Sequence, residues 1–291
     1  MPRGNYMRRY YLVFETESLH KTIYPLLEAT TIGRDTSNSI VLSDATASRK
    51  HVRVRFWQGS WAVEDLGSAN GIIINGERVE KTSIKPGDSF KIGETIFLLA
   101  EREIAESKDP LHTTMLAIST IIKGEDSRAT GEEPDCWSEK LADAIFKIPF
   151  FVPLTETERE YLAENAIMHT FNAGEIVLKQ GDPRRSIYVV LDGRVMVFTT
   201  DHAGNELELA TLDAGQFFGE MSLVSSKPHL SSVSTIESSV LVELSYASMI
   251  KVIKLNEAVK KVLVEYYKAR KSDTQEKRAR TIKTELAEHH R

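Results

Sequence analysis

Between residues 8 and 101 the apolar residues arrive only in short runs, and that limits what this chain can fold into. The runs lie at 10–14, 30–32, 52–56, 61–65, 72–74 and 95–100. Turn formers separate them: Asp35-Thr36-Ser37-Asn38, Gln58-Gly59, Asn70-Gly71, Asn75-Gly76 and Lys85-Pro86-Gly87-Asp88. Several short strands at this spacing predict a β-sandwich. Val52-Arg53-Val54-Arg55-Phe56 alternates apolar and basic, which suits a strand with one face buried and one face wet.

The pattern changes twice further on. Residues 103–140 read as a linker, with Ser107-Lys108-Asp109-Pro110, Gly124-Glu125-Asp126-Ser127 and Gly131-Glu132-Glu133-Pro134. Within it, 113–122 is apolar enough for a short helix or a docking strand. From Trp137 the spacing predicts helices over 137–146 and 156–165, the second capped by Thr155 with Glu158 three residues on. Strands are expected at 175–179, 186–191, 195–199, 207–212, 233–236 and 240–244, then a helix from Ser245 to about residue 271. Residues 272–291 form a charged, helix-prone tail, and 268–291 hold eight Lys or Arg against four Asp or Glu. The expected division is 8–102, a linker at 103–140, 141–271 and the tail at 272–291, with no repeat between the two β regions.

Composition removes several classes. The 291 residues carry a net charge of −5, which argues against a general DNA or RNA binder. Hydrophobic residues at 41% are enough to bury a core. A single cysteine, Cys136, allows no internal disulfide or cysteine-built zinc site and points to a reducing compartment. The uncharged stretch 110–122 has 13 residues, short of the ~20 that a membrane span needs. The apolar run near the N-terminus stops at Glu15, too early for a signal-peptide core. A cytoplasmic location without membrane contact is expected. No Gly-x-Ser-x-Gly, His-Glu-x-x-His or Walker A loop is present, so no catalytic residues are assigned. No histidines with acidic partners are arranged as metal ligands.

In the first β region four features follow in order: Gly33-Arg34, Ser48-Arg49-Lys50-His51, Ser68-Ala69-Asn70-Gly71 and Asn75-Gly76. Arg34 offers a planar fork of donors, Ser48 a hydroxyl, Arg49 and Lys50 charge, and Asn70 an amide able to pair with a peptide backbone. This ordered set, over about residues 10–100, resembles the forkhead-associated (FHA) domain, a β-sandwich that binds phosphothreonine peptides. The resemblance implies that Arg34 and Ser48 hold the phosphate, that Arg49 contacts phosphate or peptide, and that Asn70 pairs with the peptide backbone. His51 is expected to support the loop.

The second β region carries Ile148-Pro149-Phe150-Phe151, Gly174-Glu175, Gln180-Gly181-Asp182, Tyr188, Gly193 and Phe217-Phe218-Gly219-Glu220-Met221-Ser222-Leu223. It resembles the cyclic nucleotide-binding domain, a β-roll framed by helices. The fold class expected is therefore mainly β: an N-terminal sandwich, then a β-roll with flanking helices and a long C-terminal helix. The resemblance places the nucleotide on Phe218, Gly219, Glu220, Met221, Ser222, His229, Leu230, Ser231 and Ser232, with Glu220 accepting from a ribose hydroxyl. One position departs from the pattern. The family has an arginine for the cyclic phosphate where this chain has His229, and the bulkier Leu230 follows. Losing a charge-assisted bond of ~1.5–3 kcal/mol would lower affinity about tenfold to a hundredfold, unless Lys227, Ser231, Ser232 or backbone groups compensate. Two readings stay open: a pocket that still binds cAMP, cGMP or a cyclic dinucleotide, and a scaffold that has lost its ligand.

Val252, Leu255, Val259, Val262 and Tyr266 are spaced as a heptad seam. The helix 246–271 would pair two subunits, or the stripe would pack on its own β-roll. Too few residues follow for the helix-turn-helix seen in related transcription regulators, so no DNA partner is expected. The functional expectation is a non-catalytic signalling adaptor that binds phosphothreonine-containing partners and senses a cyclic nucleotide as its one small-molecule ligand. The alternatives are an interaction protein whose second domain is a nucleotide-free dimerisation module, and a regulatory subunit that silences an enzyme. Thr113, Thr114 and Thr130 are candidate phosphorylation sites that the first domain could bind.

Overall fold

The computed structural model describes residues 6–15, 21–27, 29–105, 148, 151–200, 204–225 and 227–288. The segments expected at 113–122 and 137–146, the linker threonines and Cys136 lie outside the described residues. The fold is mainly β, and the chain divides into two compact units.

The first unit holds β1 (Tyr6–Glu15), β2 (Lys21–Leu26), β3 (Ala29–Gly33), β4 (Ile40–Val41), β5 (Val52–Trp57), β6 (Ser60–Asp65), β7 (Ile72–Ile74), β8 (Glu77–Val79), β9 (Lys81–Ile84), β10 (Ser89–Ile92) and β11 (Thr95–Ala105). They form two sheets, β2-β1-β11-β10-β7-β8 and β4-β3-β5-β6-β9. The core between them includes Leu12, Ile32, Val52, Val54, Trp61, Val63, Phe90, Phe97 and Leu99. In β5 the alternation has its expected effect: Val52 and Val54 are fully buried, while Arg53 and Arg55 reach Glu64 at 3.9 and 3.5 Å. Strands β2, β4, β8, β9 and β10 were not among the expected runs. Pro25 interrupts the β2 pattern, β4 is only two residues long, and β8, β9 and β10 are three or four residues long with polar residues among the apolar ones. Residues 163–171 also group with this unit, through a strand that pairs with β2.

The remaining elements are α1 (Glu156–Glu164), β12 (Ile167–Phe171), β13 (Ile176–Leu178), β14 (Ser186–Asp192), β15 (Arg194–Thr200), β16 (Glu206–Asp213), β17 (Phe217–Phe218), α2 (Glu220–Ser225), β18 (Ser232–Thr235), β19 (Ser239–Ser245), α3 (Tyr246–Leu255) and α4 (Glu257–Glu288). In the second unit β13-β18-β15-β16 form one sheet, and β14 pairs with β17 and β19. The capping box of α1 is made: Glu158 N–H donates to Thr155 Oγ1 at 3.3 Å and Thr155 N–H to Glu158 Oε2 at 2.9 Å.

The single helix expected over 246–271 is two helices. Asn256 ends α3 with an extended backbone, and its Oδ1 caps α4 by accepting from Ala258 and Val259 N–H at 3.1 and 3.2 Å. Its Nδ2 donates to Pro153 O at 3.0 Å and Glu158 Oε2 at 2.8 Å. The break puts the proposed seam out of phase. Val252 and Val259 are buried, Leu255 is 76% exposed, and Leu263 rather than Val262 is fully buried. Helix α4 also runs past residue 271 without interruption to Glu288.

Candidate functional sites

The first candidate site is a set of loops tied to one another by their own polar groups. Gly33 brings two of them into contact, since a Cβ there would collide with the carbonyl of Arg49. Arg34 N–H donates to Ser48 O at 3.0 Å, and Asp35 N–H and the Asn38 amide both donate to Arg49 O, at 3.0 and 2.7 Å. A third loop joins through Ala69 N–H to Ser48 Oγ at 3.1 Å and Asn70 Nδ2 to Thr46 O at 2.8 Å. His51 locks the arrangement from beneath. Its Nδ1 accepts from Ser48 N–H at 3.0 Å, so the ring proton sits on Nε2 and is donated to Gly71 O at 2.9 Å.

Arg34, Ser48, Arg49 and Asn70 are thus brought together, and what they leave unused is informative. Arg34 Nε donates to Ala47 O at 2.6 Å, which orients the guanidinium, while its terminal nitrogens bond to nothing among the described residues. Ser48 accepts at its oxygen and keeps its O–H to donate. Asn70 keeps its carbonyl oxygen and one N–H. Arg49 and Lys50 are exposed beside them. This is a preformed, cationic cluster of donors suited to an anion attached to an extended peptide. Sequence reasoning missed Asp44, which holds this loop to the β10–β11 turn. Its carboxylate accepts from Thr46 N–H at 2.8 Å and Glu94 N–H at 2.6 Å. Burial pushes the Asp44 carboxyl up, but these hydrogen bonds outweigh it and hold the group below its ordinary value.

The second candidate site follows β17. Phe218 is buried and stacks on Tyr188 with ring centroids 5.2 Å apart. Gly219 turns the chain at φ +92, where a Cβ would strike Ser186 O, so only glycine fits. Ser222 Oγ returns to Gly219 O at 2.8 Å, and Met221 is half-buried. Ser232 Oγ accepts from Gln180 N–H at 3.0 Å; Ser231 is half-buried and Leu230 is exposed. His229 is only 6% exposed, with its backbone clamped between Gly181 N–H at 2.8 Å and Asp182 O at 3.0 Å.

Glu220 is 1% exposed and already has a partner that sequence reasoning missed. Arg270 of α4 donates to its Oε2 at 2.8 Å. The guanidinium also lies 4.8 Å over the Phe217 ring, and Tyr266 packs on that ring at 5.1 Å. Burial pushes the Glu220 carboxyl up, against the pull of Arg270. Two buried polar atoms remain without a hydrogen bond here: Glu220 Oε1 and His229 Nε2. They are two of ten such atoms among the described residues, and both sit on the stretch read as ligand-binding. Glu220 Oε1 can accept a hydrogen bond, and His229 Nε2 can donate one when it carries a proton.

Comparison with known families agrees with this layout. The FHA domain family matches residues 30–93 and the cyclic nucleotide-binding domain family matches residues 168–256. The chain carries an FHA domain followed by a cyclic nucleotide-binding domain. A cAMP-dependent protein kinase regulatory subunit from Mycosarcoma maydis is 26% identical over 154 residues, covering 53% of this chain and 28% of the relative. An oxoglutarate dehydrogenase inhibitor from Corynebacterium diphtheriae is 41% identical over 64 residues, covering 22% of this chain and 45% of the relative. Among solved structures, one from a study of phosphothreonine-dependent FHA domain interactions is 26% identical, covers 32% of this chain and 95% of that chain, and has a TM-score of 0.29. The chain spans less than half the length of either curated relative. Among the described residues, no helix is long and apolar enough to cross a membrane.

Proposed function

We propose that this chain is a non-catalytic signalling adaptor: its FHA domain binds phosphothreonine-containing partners and its second domain binds a cyclic nucleotide. The phosphothreonine reading is carried by the tied loops, which fix these side chains while leaving unused the Arg34 terminal nitrogens, the Ser48 O–H, and the Oδ1 and one N–H of Asn70. Arg34 and Ser48 would hold the phosphate, Arg49 would add charge, and Asn70 would bond the peptide backbone. In the second domain Glu220 Oε1 would accept from a ribose hydroxyl and His229 would meet the cyclic phosphate. Phe218, Gly219, Met221, Ser222, Leu230, Ser231 and Ser232 would complete the cradle.

One observation favours the second reading, a nucleotide-free interaction module: Glu220 is already paired with Arg270. Calorimetric titration of the full chain with cyclic AMP, cyclic GMP and cyclic di-GMP separates the two. Heat with at least one of them supports the sensor; none at millimolar nucleotide refutes it. For the FHA domain, Arg34→Ala should abolish binding to a phosphothreonine peptide library, and retained binding would overturn the assignment. A homodimer through helices α3 and α4 and a cytoplasmic location belong to the same proposal. Light scattering that finds a monomer at high concentration would remove the dimer.

A further inference from the structure

The histidine at the second site has two ring nitrogens in different situations. One bonds the backbone carbonyl of Arg184, and Nε2 is buried with no partner. Since Nε2 is unbonded, the nitrogen facing the Arg184 carbonyl is Nδ1, and it must carry a proton to donate there. In the neutral ring Nε2 is then a bare lone pair. A phosphate oxygen brought to it meets an acceptor, and the contact becomes attractive only when Nε2 is protonated. The family's arginine faces no such condition, because a guanidinium is charged at every relevant pH.

The neighbours of the ring point the same way. Asp182 and Arg184 face it from the turn before β14, and Glu243 from β19. Asp182 is gripped by Arg184, with Nη2 to Oδ2 at 2.6 Å, and Glu243 accepts from Ser186 Oγ at 2.6 Å. Two carboxylates and one guanidinium already leave this setting net negative. A phosphate arriving beside neutral His229 would add to that charge, and a proton on the ring would offset it.

We propose that the nucleotide site takes up its ligand together with one proton, carried by His229 on Nε2. The proposal rests on the cyclic-nucleotide reading above. Burial of the free ring pushes His229 below its ordinary value, with Asp182 opposing, so at neutral pH the unliganded ring is mostly neutral and the proton must come with the ligand. The cyclic phosphate stays anionic across this range, so the site follows ring protonation alone. Affinity should then fall as pH rises, approaching about tenfold per pH unit above the free ring's pKa, the limit set by one linked proton.

The test is titration of the full chain with cyclic AMP and cyclic GMP at pH 5.5, 6.5 and 7.5, in two buffers of different ionisation heat. Wild type should lose between tenfold and a hundredfold in affinity from pH 5.5 to 7.5 and take up close to one proton per ligand. His229→Arg should bind more tightly at pH 7.5 with little pH dependence, and His229→Gln weakly with little pH dependence. A flat wild-type profile overturns the proposal while leaving the nucleotide reading intact. So does a slope that persists in His229→Gln, which would place the proton on Glu220, Asp182 or Glu243. If neither wild type nor His229→Arg binds either nucleotide at any pH, the nucleotide reading falls and the proposal with it.

Discussion

Removing Arg270 should unbalance the second domain in a pH-dependent way. Arg270→Ala deletes the partner of a carboxylate that is 1% exposed, whereas the arginine side chain itself is 27% exposed. Breaking a fully buried ion pair costs about 3–5 kcal/mol, chiefly from the charge left behind. Here the surviving charge can take a proton, and the arginine is partly solvated in the wild type, so ~2–3 kcal/mol is expected near pH 7.5. The Glu220 carboxyl is pushed up by burial and pulled down by Arg270. A carboxyl raised on folding contributes stability below its unfolded pKa and loses it as pH rises through the folded value. Without Arg270 the folded value climbs further. The variant's deficit should therefore be greatest at pH 8 and shrink as pH falls toward the ordinary carboxylate range. Glu220→Gln removes the charge but keeps the shape, and should cost only ~1 kcal/mol because the freed arginine can reach water. The double variant should then be more stable than the sum of the two singles by at least ~1 kcal/mol. Urea unfolding read by hydrogen exchange in β14 and β19 isolates this domain. Additive effects, or an Arg270→Ala deficit independent of pH, would refute the buried-charge account.

Other substitutions test the remaining joints. His51→Ala leaves the Ser48 N–H and Gly71 carbonyl unpaired beneath the FHA loops, so a loss of ~2–3 kcal/mol is expected together with weakened phosphopeptide binding; unchanged affinity by fluorescence anisotropy would contradict the lattice. Gly219→Ala sets a Cβ against Ser186 O at φ +92 and should destabilise the second domain by ~1–3 kcal/mol or more in thermal melts. Asn256→Ala loses the α4 cap and two bonds to Pro153 and Glu158, and ~1–2 kcal/mol should disappear from the urea stability. A wild-type melt for Asn256→Ala would mean that the break does not depend on the cap.

How far the sequence revealed these sites follows from the range of the forces involved. The Thr155–Glu158 capping box, the β5 alternation and the order of loop motifs are local, and local pattern was enough to find them. The Asn256 break was hidden because apolar residues continue at heptad spacing straight through it, and only the asparagine's bonds to Pro153 and Glu158 show why the chain turns there. Arg270 read only as one of the eight Lys or Arg in residues 268–291. Its role depends on Glu220, fifty positions earlier, and on a helix packing that no periodicity encodes. Asp44 was missed for a similar reason. A lone aspartate in a turn is unremarkable until the β10–β11 hairpin is folded against it.

The unbroken run of α4 has a mechanical consequence. Arg270 fastens the helix to Glu220, and the axis continues from there to Glu288. At 1.5 Å per residue, that stretch is ~27 Å long. A tilt of ten degrees about the Arg270 attachment would swing its far end by about 5 Å, one full helical turn's pitch. Any tilt of α4 at the Glu220–Arg270 pair would thus be magnified along the helix into a displacement of several ångströms at Glu288.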